Sequence, residues 1–235
     1  MTSATINPRI FMNEPTPPPP PPQGPEPVYE AVDQLLIALE DQLKQDPTLS
    51  EQLRQASKDV KTGFKESIVN TTAIPETAEA CREAALNALA AGLIAGALDG
   101  AILFHTDAAS KAAAPPAEGT EGIGEDIGKA IDKFLEELQQ KFEQAKEELK
   151  RMGTEALQRG SAEGKALGAT VVEEAGRFAG SGAHNLQYQG YLAAAFGLGY
   201  AVGGTDAAIV MLTDQVPGQQ PTPPEPPAPP TPPEG

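Results

Sequence analysis

The pattern G-x-x-x-G-x-x-D-x-A-I-x-x-x-T-D occurs twice in this chain, at 92–107 and at 199–214. Gly92, Gly96, Asp99, Ala101, Ile102, Thr106 and Asp107 recur as Gly199, Gly203, Asp206, Ala208, Ile209, Thr213 and Asp214, at a constant offset of 107 (99 to 206). Glycine at every fourth position lies along one face of a helix, and an aspartate three residues further on shares that face. Each glycine costs about 1 kcal/mol relative to alanine in an exposed helix. Such a row is tolerable where a second helix approaches closely enough to recover that cost in packing. Gly92, Gly96 and Gly100 form the first row, Gly199 and Gly203 the second.

A second internal match lies upstream of each row. Residues 28–45 align with 127–144 at an offset of 99 (28 to 127). Ala31, Asp33, Leu36, Leu39 and Gln45 recur as Ala130, Asp132, Leu135, Leu138 and Gln144, while Val28, Val32, Leu35 and Leu43 recur as Ile127, Ile131, Phe134 and Phe142. The apolar positions fall at helical spacing, so both segments read as amphipathic helices with one buried stripe. Matched order and residue type point to one all-α unit of roughly three helices written twice in tandem, each copy closed by a glycine-zipper helix. The boundaries follow: a proline-rich tail at 1–27, a first repeat at 28–110, a linker at 111–126, a second repeat at 127–215 and a proline-rich tail at 216–235. The tails, with their runs of Pro17–Pro22 and PTPPEPPAPPTPPEG, are expected to be extended or disordered, because proline cannot donate to a helix or sheet ladder. In the first repeat Pro47 ends helix one, a second helix runs from Thr48 or Leu49 to Ile68, and Thr71, Thr72 and Pro75 stop it and start the third. The second repeat lacks that proline, so its first two helices are expected to fuse into one rod. There Gly160, Gly164 and Gly168 recur every fourth residue, and Ser181 is the expected cap of the last helix.

Composition narrows the function. Hydrophobic residues make up 40% of the 235, yet aromatics only 5%, with no tryptophan. A core rich in alanine buries little area per residue, and large pockets, usually walled by bulky side chains, are not expected. The net charge of −16 repels phosphate backbones and anionic lipid surfaces and favours basic partners. No nucleic acid is expected as a partner. Cys81 is the only cysteine and reads as structural. The first residues show no signal-peptide pattern, which points to a cytoplasmic or membrane-associated protein; Asn70-Thr71-Thr72 is then a chance sequon.

Nothing amounts to a mechanism. The stretch Gly122–Lys129 has the wrong spacing for a phosphate loop and Ala130 where a Ser or Thr is needed. Val202 stands where a dinucleotide fingerprint needs its third glycine. His105 and His184 are isolated in sequence, and the Glu-rich run at 136–148, interleaved with lysines, is a solvated helix face. No catalytic residue, metal, cofactor or small-molecule substrate is identified.

Two readings of the glycine helices remain. Both are long enough to span a bilayer. Each carries about eight strongly apolar residues worth roughly 0.3–0.6 kcal/mol apiece, against about 2.5–3.5 kcal/mol for its aspartate. The sum nearly cancels and favours buried helices of a soluble bundle, with membrane insertion, as a paired hairpin, the alternative. Asp99 and Asp206 either meet as a carboxylate pair across the crossing, sharing a proton or a cation, or the helices break there, with Gly204-Thr205-Asp206 as a cap. The break is the expected case. The functional expectation is a non-enzymatic structural or interaction protein, with self-association or a protein partner.

Overall fold

A computed structural model describes residues 24–46, 48–105, 123–182, 184–213 and 217. The tails at 1–23 and 218–235 and most of the 111–126 linker lie outside the described residues. Among the described residues every regular element is helical: α1 (Glu26–Gln45), α2 (Leu49–Asn70), α3 (Ala78–His105), α4 (Ile123–Arg151), α5 (Thr154–Ala175), a short 3-10 turn (Gly176–Phe178) and α6 (Asn185–Thr213).

Four of the six α-helices wrap the other two. In α1, Tyr29, Val32, Leu36, Leu39 and Leu43 are buried, a three-then-four spacing that makes a single apolar stripe. Each such side chain contributes roughly 1.5–3 kcal/mol on burial. Helices α3 and α6 are different. Apart from the charged first turns of α3, their apolar residues are spread around the helix, as suits helices enclosed by others, and among the described residues the largest contact is between them. Helix α2 packs along α3, α5 along α6, α1 against both central helices, and α4 against α2 and α6.

Several boundaries depart from the expectations above. Helices α4 and α5 do not fuse; the rod stops at Arg151, and Gly153 (φ −70°, ψ 153°) starts α5 from an extended conformation. Helix α3 starts later than Pro75: the Ala80 N–H donates to Thr77 Oγ1, so Thr77 supplies the N-terminal cap. Ser181 does not cap α6; its hydroxyl donates to the Phe178 carbonyl, and α6 begins at Asn185. Most consequentially, neither central helix breaks at its aspartate. Residues 99 and 204–206 lie inside uninterrupted helix. The surrounding side chains make this affordable, because each carboxylate has a lysine from a neighbouring helix.

Candidate functional site

Helices α3 and α6 run parallel and meet along their glycines. A Cβ added at Gly92 or Gly96 would stand closer than 3.0 Å to the backbone of Phe196 or Tyr200 respectively. A Cβ at Gly199 or Gly203 would do the same against the backbone of Leu89 and Leu93. The contacts are reciprocal: residues 92 and 196 exchange for 199 and 89, and 96 and 200 for 203 and 93, at the 107-residue offset. Further along, Gly100 faces Ala207 and Gly204. All four glycines of the repeated pattern are therefore at backbone contact, where no other residue fits.

The aspartates of the pattern point into two separate clusters. Asp99 Oδ2 accepts from Lys61 Nζ at 2.5 Å and from the Tyr200 hydroxyl at 2.5 Å. Lys61 Nζ also lies 3.4 Å from Gln139 Oε1 and 5.4 Å from the Tyr200 ring centre. One turn beyond Lys61, Lys65 donates to Asp132 of α4 at 2.6 Å. Two lysines here serve two aspartates. In the other cluster Asp206, fully buried, accepts from the Ser161 hydroxyl and is 3.1 Å from Lys165 Nζ. The same lysine reaches Asp33 of α1 at 3.0 Å and lies 5.6 Å from the Tyr29 ring centre, and the Tyr29 hydroxyl donates to the Lys165 carbonyl. One lysine here serves two aspartates.

Burial, more than any neighbour, pushes the Asp206 carboxyl up to about 6; Lys165 and Ser161 pull the other way, and Asp33 adds repulsion. Asp33 is raised for the same first reason, burial, with Lys165 opposing it. The Tyr200 hydroxyl is raised by burial and by the charge of Asp99. The Tyr29 hydroxyl goes up to about 12, mainly through burial, with Glu26 and Asp206 adding to it.

Sequence reasoning missed the lysines. The signal was present: Leu53, Ser57 and Lys61 of α2 have the spacing of Leu157, Ser161 and Lys165 of α5, at an offset of 104 (57 to 161). Ser57 and Ser161 are both buried. Unrelated residues between those positions hid the match. The glycines of α5 also have occupants: the space above Gly164 is taken by Val202 and that above Gly168 by the Tyr29 hydroxyl and Leu89, while Gly160 faces open space.

A groove of about 580 Å³ lies between α2, α3 and the start of α6, with Phe64, Ala84, Ala88 and Leu192 among its walls. Alanine-rich composition spoke against a large pocket; the space exists because small side chains of α3 leave it unfilled. Cys81 is buried, its thiol against the Pro75 carbonyl. Among the described residues no three His, Cys, Asp or Glu side chains are grouped to hold a metal ion. No family model matches the chain, and no curated protein or solved structure matches it significantly.

Proposed function

We propose that the chain is a tandem duplication of a three-helix unit acting as a non-enzymatic scaffold. In this reading 28–110 and 127–215 are repeats sharing one core, closed by a glycine zipper, and the proline-rich segments at 1–27 and 216–235 are extended tethers for protein partners. The reciprocal glycine contacts carry the reading, since exchanging the halves at one offset reproduces them. The Leu-Ser-Lys spacing of α2 and α5, with a lysine–aspartate pair in each half, supports it. The acidic surface favours partners with basic faces, or a second copy joined through its tails.

Length and hydropathy support a second reading, membrane association. Helices α3 and α6 have 28 and 29 residues, with mean hydropathies of 1.7 and 1.4 over their most apolar windows. Those windows are 61% and 67% buried, as for core helices of a bundle. Parallel pairing sets a further condition. Two parallel spanning helices need the chain between them to cross the bilayer again, and α4 and α5 each carry a charged face that opposes this. A spanning hairpin is antiparallel, so insertion would have to dismantle the glycine contacts.

Flotation of the purified full chain with zwitterionic and with anionic vesicles, at pH 7.5 and 5.0, tests the choice. The scaffold reading expects the protein to stay with the soluble fraction throughout. Co-flotation with vesicles at either pH would replace it with the second reading, and saturable turnover of a substrate would remove it.

A further inference from the structure

The two halves differ at one place that neither scaffolding nor the glycine seam explains. Near the start of α6, Tyr191 lies across α5 with its hydroxyl donating to the Val171 carbonyl at 2.6 Å, and Phe178 packs on it with ring centres 5.0 Å apart. The groove between α5 and α6 is thereby filled by the protein's own phenol. At the matching position of the first half, 107 residues earlier, stands Ala84. Ala84 lines the 580 Å³ groove.

The rest of the groove differs in both directions: Val60 and Phe64 stand where the other half has Gly164 and Gly168, while smaller residues stand at its rim. Its rim residue Gly63 matches Leu167, at the α2-to-α5 offset of 104, and a Cβ at Gly63 would meet nothing within 4 Å. Ile74 stands where Phe178 does. The counterpart of the Val171 carbonyl is that of Ser67, another groove residue, which accepts from Thr71 Oγ1. Phe64, stacked on Phe196 with ring centres 4.1 Å apart, gives an aromatic wall. Tyr188 also lines the groove. It is fully buried, with the Cys81 thiol beside its hydroxyl and no nitrogen or oxygen partner. A phenol oxygen both donates and accepts, so it suits the Ser67 carbonyl, as the Tyr191 hydroxyl suits that of Val171.

We propose that this groove is a binding site for a small phenolic molecule, whose ring takes the place that Tyr191 fills in the other half. The inference rests on the correspondence of the halves in the proposed duplication. It is independent of what the tails recruit.

The test uses p-cresol as the phenol and toluene as its counterpart without the hydroxyl, titrated into the full chain and followed by amide chemical shifts. Saturable shifts confined to 63–75, 84–91 and 188–192, at millimolar or lower p-cresol, with toluene at least fivefold weaker, are expected. Ala84→Tyr, which fills the groove as Tyr191 fills its own, abolishes these shifts. Gly63→Leu, on the exposed rim, weakens binding at least fivefold and stands in if Ala84→Tyr fails to fold. No saturable shift up to 20 mM p-cresol overturns the site, as do equal affinity for toluene or unchanged binding in both variants. The melting temperature of Ala84→Tyr reports separately on the correspondence: a rise supports matched halves even if wild-type binding is absent, and a fall of several degrees with binding lost in Gly63→Leu breaks the match while leaving the site.

Discussion

Lys61 and Lys165 occupy the same place in the Leu-Ser-Lys spacing of α2 and α5, yet their surroundings are charged differently. Around Lys61 the charges balance, because Lys65 serves Asp132 and leaves Lys61 to Asp99. Around Lys165 they do not, because α5 has Ala169 at the position matching Lys65, and one cation faces both Asp33 and Asp206. Asp206 is also fully buried, whereas the Asp99 side chain keeps 15% exposure. The difference teaches that similar helices can shift a carboxylate's protonation through one missing lysine and complete burial. The second cluster is a cation short and buried, so protonation near pH 6 relieves it; in the first, Asp99 is paired with Lys61 and accepts from the Tyr200 hydroxyl.

The comparison can be broken most severely at the seam that both halves share. Gly96→Leu and Gly203→Leu each push a side chain into the partner backbone, and each is expected to cost on the order of 3 kcal/mol or more. Urea unfolding followed by circular dichroism measures this. Equal losses match the reciprocal contacts; a mild effect at one site alone would contradict them.

Removing each lysine separates the clusters. Lys165→Met leaves Asp206 buried without its cation and should cost about 3 kcal/mol at pH 7.5. Lys61→Met should cost about 1–2 kcal/mol, because Asp99 keeps the Tyr200 hydroxyl and some solvent. Similar losses in the two variants, measured by the same unfolding curves, would erase the distinction.

The pH dependence sharpens it. Asp206 is raised from an ordinary value near 4 to about 6 in the folded protein. A raised carboxyl adds stability that is complete below pH 4 and is lost as pH rises through 6. Asp33, Lys165, Ser161 and Tyr29 are the polar groups that face it. Wild type minus Asp206→Asn should therefore show a stability difference that moves in favour of wild type as the pH is lowered from 7.5 to 5. Ala169→Lys, which supplies the missing cation, should flatten that slope and add about 1 kcal/mol at pH 7.5. An unchanged slope in Ala169→Lys would show that depth, not charge count, sets the difference.

The smallest effects lie where both halves are open. Gly63→Ala in α2 and Gly160→Ala in α5 meet no neighbouring atom. Each should raise stability by about 0.5–1 kcal/mol, read as a shift of the urea midpoint.

The sequence by itself determined that the chain is helical and which glycines form the seam. Apolar residues at 28, 32, 36, 39 and 43 mark α1 as one amphipathic helix, although its buried stripe takes Tyr29 in place of Val28, and glycine at every fourth position marks a face fit for close approach, which 92, 96, 199 and 203 use and Gly160 does not. It also contained the Ser57–Lys61 and Ser161–Lys165 spacing, which only becomes visible once both lysines are seen beside aspartates. Other matters were decided by tertiary structure alone. Local rules make Gly204-Thr205-Asp206 a place to end a helix; Lys165 from α5 and Ser161 beneath it keep that helix whole, since a buried carboxylate needs only partners, wherever they lie in the chain. Direction was equally invisible. Glycine spacing serves parallel and antiparallel pairs alike, and only the packing of α1, α2, α4 and α5 around the central helices sets α3 and α6 side by side in the same sense. That choice separates Asp99 from Asp206 into two clusters, because each carboxylate turns toward the lysine on the helix flanking its own.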